Sequence, residues 1–180
     1  QSTMLISSTG SGKSLCYQLP AYLFGKYKKY ITLVISPLIS LMEDQLTTMP
    51  KKLKGVCLHS NMKDKEKEFN ISLLQNGHAQ VLFLSPESIV NGSSLYDLVQ
   101  LPTIAFACID EAHCLSEWSN NFRPSYLQLC KILESKLKVK TFLALTATAT
   151  QKICRQVCRN LKIGSSNVIG NTQIPDNLVL

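Results

Sequence analysis

The sequence predicts an α/β fold built on a mostly parallel sheet, and three observations carry that prediction. Short apolar runs alternate with helical stretches along the 180 residues, which is the strand–helix–strand spacing of parallel sheets. The run Ile104-Ala105-Phe106-Ala107-Cys108-Ile109 is apolar throughout, as a strand buried on both faces requires. A glycine-bearing turn, Ser7 to Ser14, joins the first apolar run to the first helical stretch.

Element by element, residues 3–7 form a strand around Met4-Leu5-Ile6, and a helix follows over 13–24. Residues 31–36, dense in β-branched side chains, give the second strand, with a helix over 38–48. Residues 56–60 pair with a helix over 63–75, and 80–84 with a short helix near 86–90. Residues 104–109 form the most apolar strand, 141–145 precede a helix over 150–160, and 167–170 close the series. A chain of this length supports one sizeable core, so residues 1–170 are expected to be one domain. The segment 171–180, with Ile174-Pro175-Asp176-Asn177, reads as the start of a linker, so the chain is expected to be a piece of a longer protein.

Ser7-Ser8-Thr9-Gly10-Ser11-Gly12-Lys13-Ser14 carries the chemistry of a triphosphate cradle. The first amides of a helix lack intrahelical partners, and the helix dipole is positive there. Gly10 and Gly12 allow close backbone approach, Lys13 places an ammonium on the β- and γ-phosphates, and the Ser14 hydroxyl suits Mg²⁺. The strict pattern wants glycine where Ser7 stands. A glycine- and serine-rich surface turn is the competing reading. The second site is Asp110-Glu111-Ala112-His113, at the end of the apolar strand. Adjacent carboxylates there call for a cation or a water site. Asp110 suits Mg²⁺, Glu111 suits activation of the attacking water, and His113 suits coupling. Solvated acids at a strand end are the alternative. Together the two segments predict a nucleoside triphosphatase.

The net charge of +7 and pI near 9.1 admit a polyanionic partner. Lys63, Lys65 and Lys67 interleave with Asp64, Glu66 and Glu68, which reads as a solvated helix face rather than a nucleic-acid patch. Seven cysteines, mostly in apolar stretches, read as reduced thiols. Cys154 and Cys158 stand one helical turn apart, a spacing that can clamp a metal, yet no second pair follows at zinc-site spacing. No membrane-length apolar run occurs, so no membrane partner is expected.

Five segments follow the order of superfamily 2 helicase motifs. They are the phosphate loop, Ser36-Pro37-Leu38-Ile39-Ser40-Leu41-Met42-Glu43-Asp44-Gln45, Leu84-Ser85-Pro86-Glu87, Asp110-Glu111-Ala112-His113 and Leu145-Thr146-Ala147-Thr148-Ala149-Thr150. Cys114-Leu115-Ser116-Glu117-Trp118-Ser119-Asn120-Asn121-Phe122-Arg123-Pro124-Ser125-Tyr126 resembles the aromatic-rich loop of RecQ-type DNA helicases. The stretches Phe106 to Ile109 and Asn121 to Pro124 look most like the fourth RecQ type of animals, the Rothmund–Thomson branch.

The resemblance implies a RecA-like first lobe, a three-layer P-loop NTPase sandwich, with ATP and Mg²⁺ as cofactors. It implies 3′-to-5′ movement on single-stranded or forked DNA and a role in replication, recombination and repair. The implied place is the nucleus, with the cytoplasm as the alternative. A second RecA-like lobe would follow residue 180 and an adenine-reading motif would precede residue 1. Carried onto this chain, Ser7 to Ser14 hold the nucleotide, and Ser14 and Asp110 hold the cation. Lys13, Asp110, Glu111 and His113 run hydrolysis. Ser36, Pro37, Asp44, Gln45, Ser85, Pro86 and Glu87 line the DNA track. Trp118, Phe122 and Arg123 sense DNA, and Thr146 and Thr148 couple DNA to the nucleotide. Glu117 and Asn120 depart from the glutamine and histidine common in the family, which bears on that coupling. Without the second lobe's arginine, worth about 10³–10⁵ in rate, weak nucleotide binding and very slow hydrolysis are expected of these residues alone. A non-enzymatic binding module and a DEAH-type RNA helicase lobe remain the competing readings.

Overall fold

The computed structural model describes residues 1–59, 61–90 and 100–170; the expected linker at 171–180 lies outside them. Among the described residues, seven strands make one sheet: β1 (Thr3–Ile6), β2 (Ile31–Ile35), β3 (Gly55–Leu58), β4 (Val81–Leu84), β5 (Ile104–Ile109), β6 (Phe142–Thr146) and β7 (Val168–Ile169). Their order is β3-β4-β2-β5-β6-β1-β7, and every neighbouring pair is parallel. The helices are α1 (Leu15–Lys28), α2 (Ile39–Thr47), α3 (Asp64–Gln75), α4 (Pro86–Val90), α5 (Pro124–Ser135) and α6 (Gln151–Asn160).

The period-2 alternation of strand side chains divides the core into two layers. Ile31, Leu33 and Ile35 of β2 face one side with Leu82, Leu84, Ala107 and Ile109, where α3, α5 and α6 supply Leu74, Tyr126, Leu129 and Val157. Val34, Phe83, Phe106 and Cys108 face the other side, where α1 and α2 supply Tyr17, Ala21 and Met42. Helices therefore cover both faces, giving the three-layer arrangement expected of a continuously apolar central strand.

Two differences from the sequence expectation are informative. The first helix starts at Leu15, not 13, because Gly12 to Ser14 form a turn whose carbonyls accept from Leu15, Cys16 and Tyr17. Helix α5 was not expected. Its apolar residues Tyr126, Leu129, Cys130 and Leu133 recur at helical spacing and Pro124 occupies the first turn, but the stretch begins inside the aromatic-rich loop. Helix α6 is capped by the Thr150 hydroxyl, which accepts from the Ile153 amide at 3.4 Å.

Leu33 is fully buried at the middle of the sheet. Leu33→Ala should lower unfolding free energy by about 2–5 kcal/mol, read as a lower urea midpoint at unchanged slope.

Candidate functional site

Because all strands run the same way, their C-terminal ends share one rim. The phosphate loop leaves β1, Ser36 leaves β2, Ser85 leaves β4, Asp110 leaves β5, and Thr146 ends β6.

In the loop, Gly10 and Gly12 adopt φ of 80° and 84°, a region that disfavours any side chain. A Cβ on either would meet nothing within 4 Å, so glycine is required by the bend, and the space before the loop is open. Ser7 does not have a positive φ, which explains why serine can replace glycine there. Its hydroxyl donates to Ser11 Oγ at 2.8 Å, and Ser11 donates to the Ser8 carbonyl at 2.7 Å. Lys13 Nζ donates to the carbonyls of Ser7 and Ser8, each at 2.8 Å, so its ammonium sits over the loop.

Asp110 is 8% exposed. Burial raises its pKa above the ordinary carboxylate value, opposed by a hydrogen bond from Gln45 and, more weakly, by the charge of Lys13. One carboxylate oxygen accepts from Gln45 Nε2 at 3.1 Å and the other from the Glu111 amide at 3.0 Å. Tyr17 donates to Gln45 Oε1 at 2.6 Å. Tyr17, Gln45 and Asp110 thus form one chain of hydrogen bonds that ties the expected cation ligand Asp110 to α1 and α2. Two neutral donors on a buried carboxylate favour its charged form, the form that suits a divalent cation.

Glu111 follows with φ 48° and ψ 47°, a left-handed conformation unusual for glutamate. Its carboxylate lies 3.2 Å from His113 Nδ1. The hydrogen bond from His113 lowers its pKa, with Lys13 adding a smaller effect in the same direction. The same Nδ1 lies 3.1 Å from Thr146 Oγ1. Thr146 spends its hydroxyl proton on the Thr148 carbonyl at 2.9 Å, so it accepts from the imidazole, and Nδ1 carries hydrogen. The neighbouring Cys114 side chain and then Glu111 raise the His113 pKa to about 9. Thr146 also bonds the phosphate loop through its carbonyl, which accepts from the Ser7 amide at 3.1 Å.

The aromatic-rich segment sits beside this cluster. Trp118 is 67% exposed, which excludes a packing role, and Lys152 Nζ stands 5.1 Å from its ring centroid. Phe122 is half-buried. Asn121, which sequence reasoning passed over, reaches His113 Nε2 at 3.4 Å. Arg123 donates to the Pro37 carbonyl at 3.0 Å and lies 3.6 Å from Glu87, which also accepts from Ser125 at 3.2 Å. Pro37, Glu87 and Arg123 are therefore brought together. Ser36, Ser85 and Pro86 are not surface groups: they are buried, and the Ser36 and Ser85 amides extend the sheet ladder to Leu84 and Leu58. Gln45 turns inward to Asp110 while Asp44 beside it is exposed. Thr148, Glu117 and Asn120 are exposed.

The profile of the DEAD/DEAH box helicase family matches residues 1–157. The chain belongs to the DEAD/DEAH box helicase family. Within that family it is of the RecQ type. It is 47% identical over 180 residues to the ATP-dependent DNA helicase Q4 of Homo sapiens, covering 99% of this chain and 15% of that protein. It is 38% identical over 176 residues to the ATP-dependent DNA helicase RecQ of Pasteurella multocida, covering 97% of this chain and 27% of that protein. The chain thus spans well under a third of either relative. The Hef helicase domain of Pyrococcus furiosus shares the fold, with a TM-score of 0.64 at 18% identity over 90% of this chain and 34% of that one. No helix among the described residues is long and apolar enough to cross a membrane.

The His113 imidazole should titrate near pH 9 by NMR, and Glu111→Gln should lower that midpoint. Since the folded pKa exceeds the ordinary 6.5, protonated His113 stabilises the fold fully below 6.5 and the contribution vanishes as pH climbs through about 9. Glu111, shifted downward from 4.5, contributes above that value and loses its contribution as pH falls. Gln45→Ala removes the donor that lowers Asp110, so carboxyl-carbon NMR should show the Asp110 midpoint rising further.

Proposed function

We propose that this chain is the ATP-binding lobe of a DNA-dependent ATPase and 3′-to-5′ DNA helicase acting in replication, recombination and repair. In this reading residues 1–170 are the first RecA-like lobe and 171–180 lead to a second. The observation that carries it is the convergence of Lys13, Asp110 and Glu111 at one rim, with Lys13 in electrostatic reach of both carboxylates. The names of the similar proteins, ATP-dependent DNA helicases, favour DNA over RNA. A nuclear place accords with that reading.

When bound, magnesium–ATP supplies the phosphoryl group and the cation that neutralises its charge. The open, positive-φ loop and the buried Asp110 carboxylate fit such a group. Lys13 would exchange its two carbonyl acceptors for phosphate oxygens. Ser14 and Asp110 would hold the cation. Glu111 stays ionised at neutral pH because His113 lowers its pKa, so it serves more by orienting water than by basic strength. His113 reads the state of Glu111 and passes it to Thr146 and Asn121. Trp118, Phe122 and Arg123 offer flat surfaces on which unpaired bases stack, at about 1–3 kcal/mol per base.

The test uses the full-length protein. Lys13→Ala and Glu111→Gln should each lower DNA-stimulated ATP hydrolysis by about 10²-fold or more, with Glu111→Gln retaining bound ATP. Single-stranded DNA should stimulate turnover more than RNA of the same length. Unchanged turnover in Glu111→Gln would remove the base assignment, and unaltered function in Lys13→Ala would favour a non-enzymatic module. Stronger stimulation by RNA would make the chain an RNA helicase lobe.

A further inference from the structure

Away from the strand-end rim, three sulfur atoms meet between β1 and α6. Cys154 and Cys158 lie one turn apart on α6, and both thiols point at Met4 Sδ, at 3.8 and 3.7 Å. Met4 is fully buried, whereas both cysteines are half-buried. The cluster is thus closed behind by the thioether and reachable from solvent on the thiol side. Nothing in the proposed ATPase chemistry uses it.

We propose that Cys154, Cys158 and Met4 form a three-sulfur binding site for a soft, monovalent d¹⁰ cation of the copper(I) class. Metal–sulfur bonds of about 2.3 Å in a trigonal plane set the sulfurs about 4 Å apart. The observed separations of 3.7 and 3.8 Å meet that spacing within a few tenths of an ångström. A cation can therefore enter without moving the helix off the strand.

The donor set selects the class of ion. Two thiols and a thioether are soft ligands that favour copper(I). Zinc(II) takes four nitrogen, oxygen or thiolate ligands, and a thioether is a poor substitute. No group of three or more His, Cys, Asp or Glu residues suited to a metal assembles among the described residues. Zinc therefore finds neither the number nor the kind of donor it needs. The site is also well supported. Ile153 and Val157 on the same helix, with Leu161 just beyond it, pack into the core beside Met4, which fixes the strand-to-helix distance.

Protons complete the account. Burial, and then the neighbouring Cys154, raise the Cys158 thiol to about 11, so that sulfur carries its hydrogen at neutral pH. Binding the cation releases thiol protons to solvent and forms metal–thiolate bonds with no change in oxidation state. Retention therefore strengthens as pH rises.

The experiment uses the chain in a Cys16→Ser/Cys57→Ser background, which removes the other solvent-reachable thiols. Copper(I) is supplied without oxygen from a chromophoric chelator, and the copper held by the protein is read by competition. One copper per chain is expected. Cys154→Ser and Cys158→Ser should each abolish retention. Met4→Leu, which keeps both thiols and the apolar volume, should weaken it at least about tenfold. Zinc(II) at equal concentration should not displace copper. Circular dichroism identifies any variant that fails to fold, and the two serine variants at half-buried positions then decide. Undiminished retention in either serine variant, undiminished affinity in Met4→Leu, or displacement by zinc would each overturn the site.

Discussion

A common strand direction is the constraint on which this molecule depends. Every strand that ends at the rim delivers its next residue to the same place, so loops distant in sequence meet there. The thermodynamic burden falls on Asp110, a carboxylate 8% exposed at the end of the most apolar strand. Gln45, Tyr17 and the Glu111 amide offset part of that burden by hydrogen bonding. The two helices on one face, α1 and α2, are thereby tied to the central strand by polar contacts as well as by packing.

Two networks share that rim with different chemistry. The Tyr17–Gln45–Asp110 chain is acidic at its end and otherwise neutral. The Glu111–His113–Thr146 cluster is an ion pair with a hydroxyl attached, and its imidazole nitrogen faces both partners at once. Glu111 holds an unfavourable left-handed backbone to make that contact. Asn121 brings the aromatic-rich loop to the second imidazole nitrogen. A movement of that loop therefore reaches Glu111 through a single ring.

Some of this was legible in the sequence because its chemistry is local. The order glycine, glycine, lysine, serine after an apolar run needs no tertiary information to be read as a phosphate cradle, and the same holds for paired acids after a buried strand. The alternation of strands and helices was legible for the same reason. Gln45 was not: it lies 65 positions from Asp110 in the sequence, and its inward turn depends on how α2 packs. The resemblance assigns Ser36 and Ser85 to a DNA track, and it does not reveal that their amides still belong to the sheet. Helix α5 was hidden by a loop whose polar residues run directly into its first turn. The meeting of Met4 with Cys154 and Cys158 joins residues at opposite ends of the chain, which spacing alone does not reveal.

Arg123 illustrates what the packed state imposes on any polyanion that arrives. Its guanidinium already has a carbonyl and a carboxylate as neighbours. A phosphate that takes hold of it does so by swapping places with Glu87, not by adding to an idle positive group. The corner then behaves as an exchanger: one anion leaves the arginine as another comes. Fewer counterions are shed than a solitary arginine would shed, so this residue by itself contributes a shallow salt dependence.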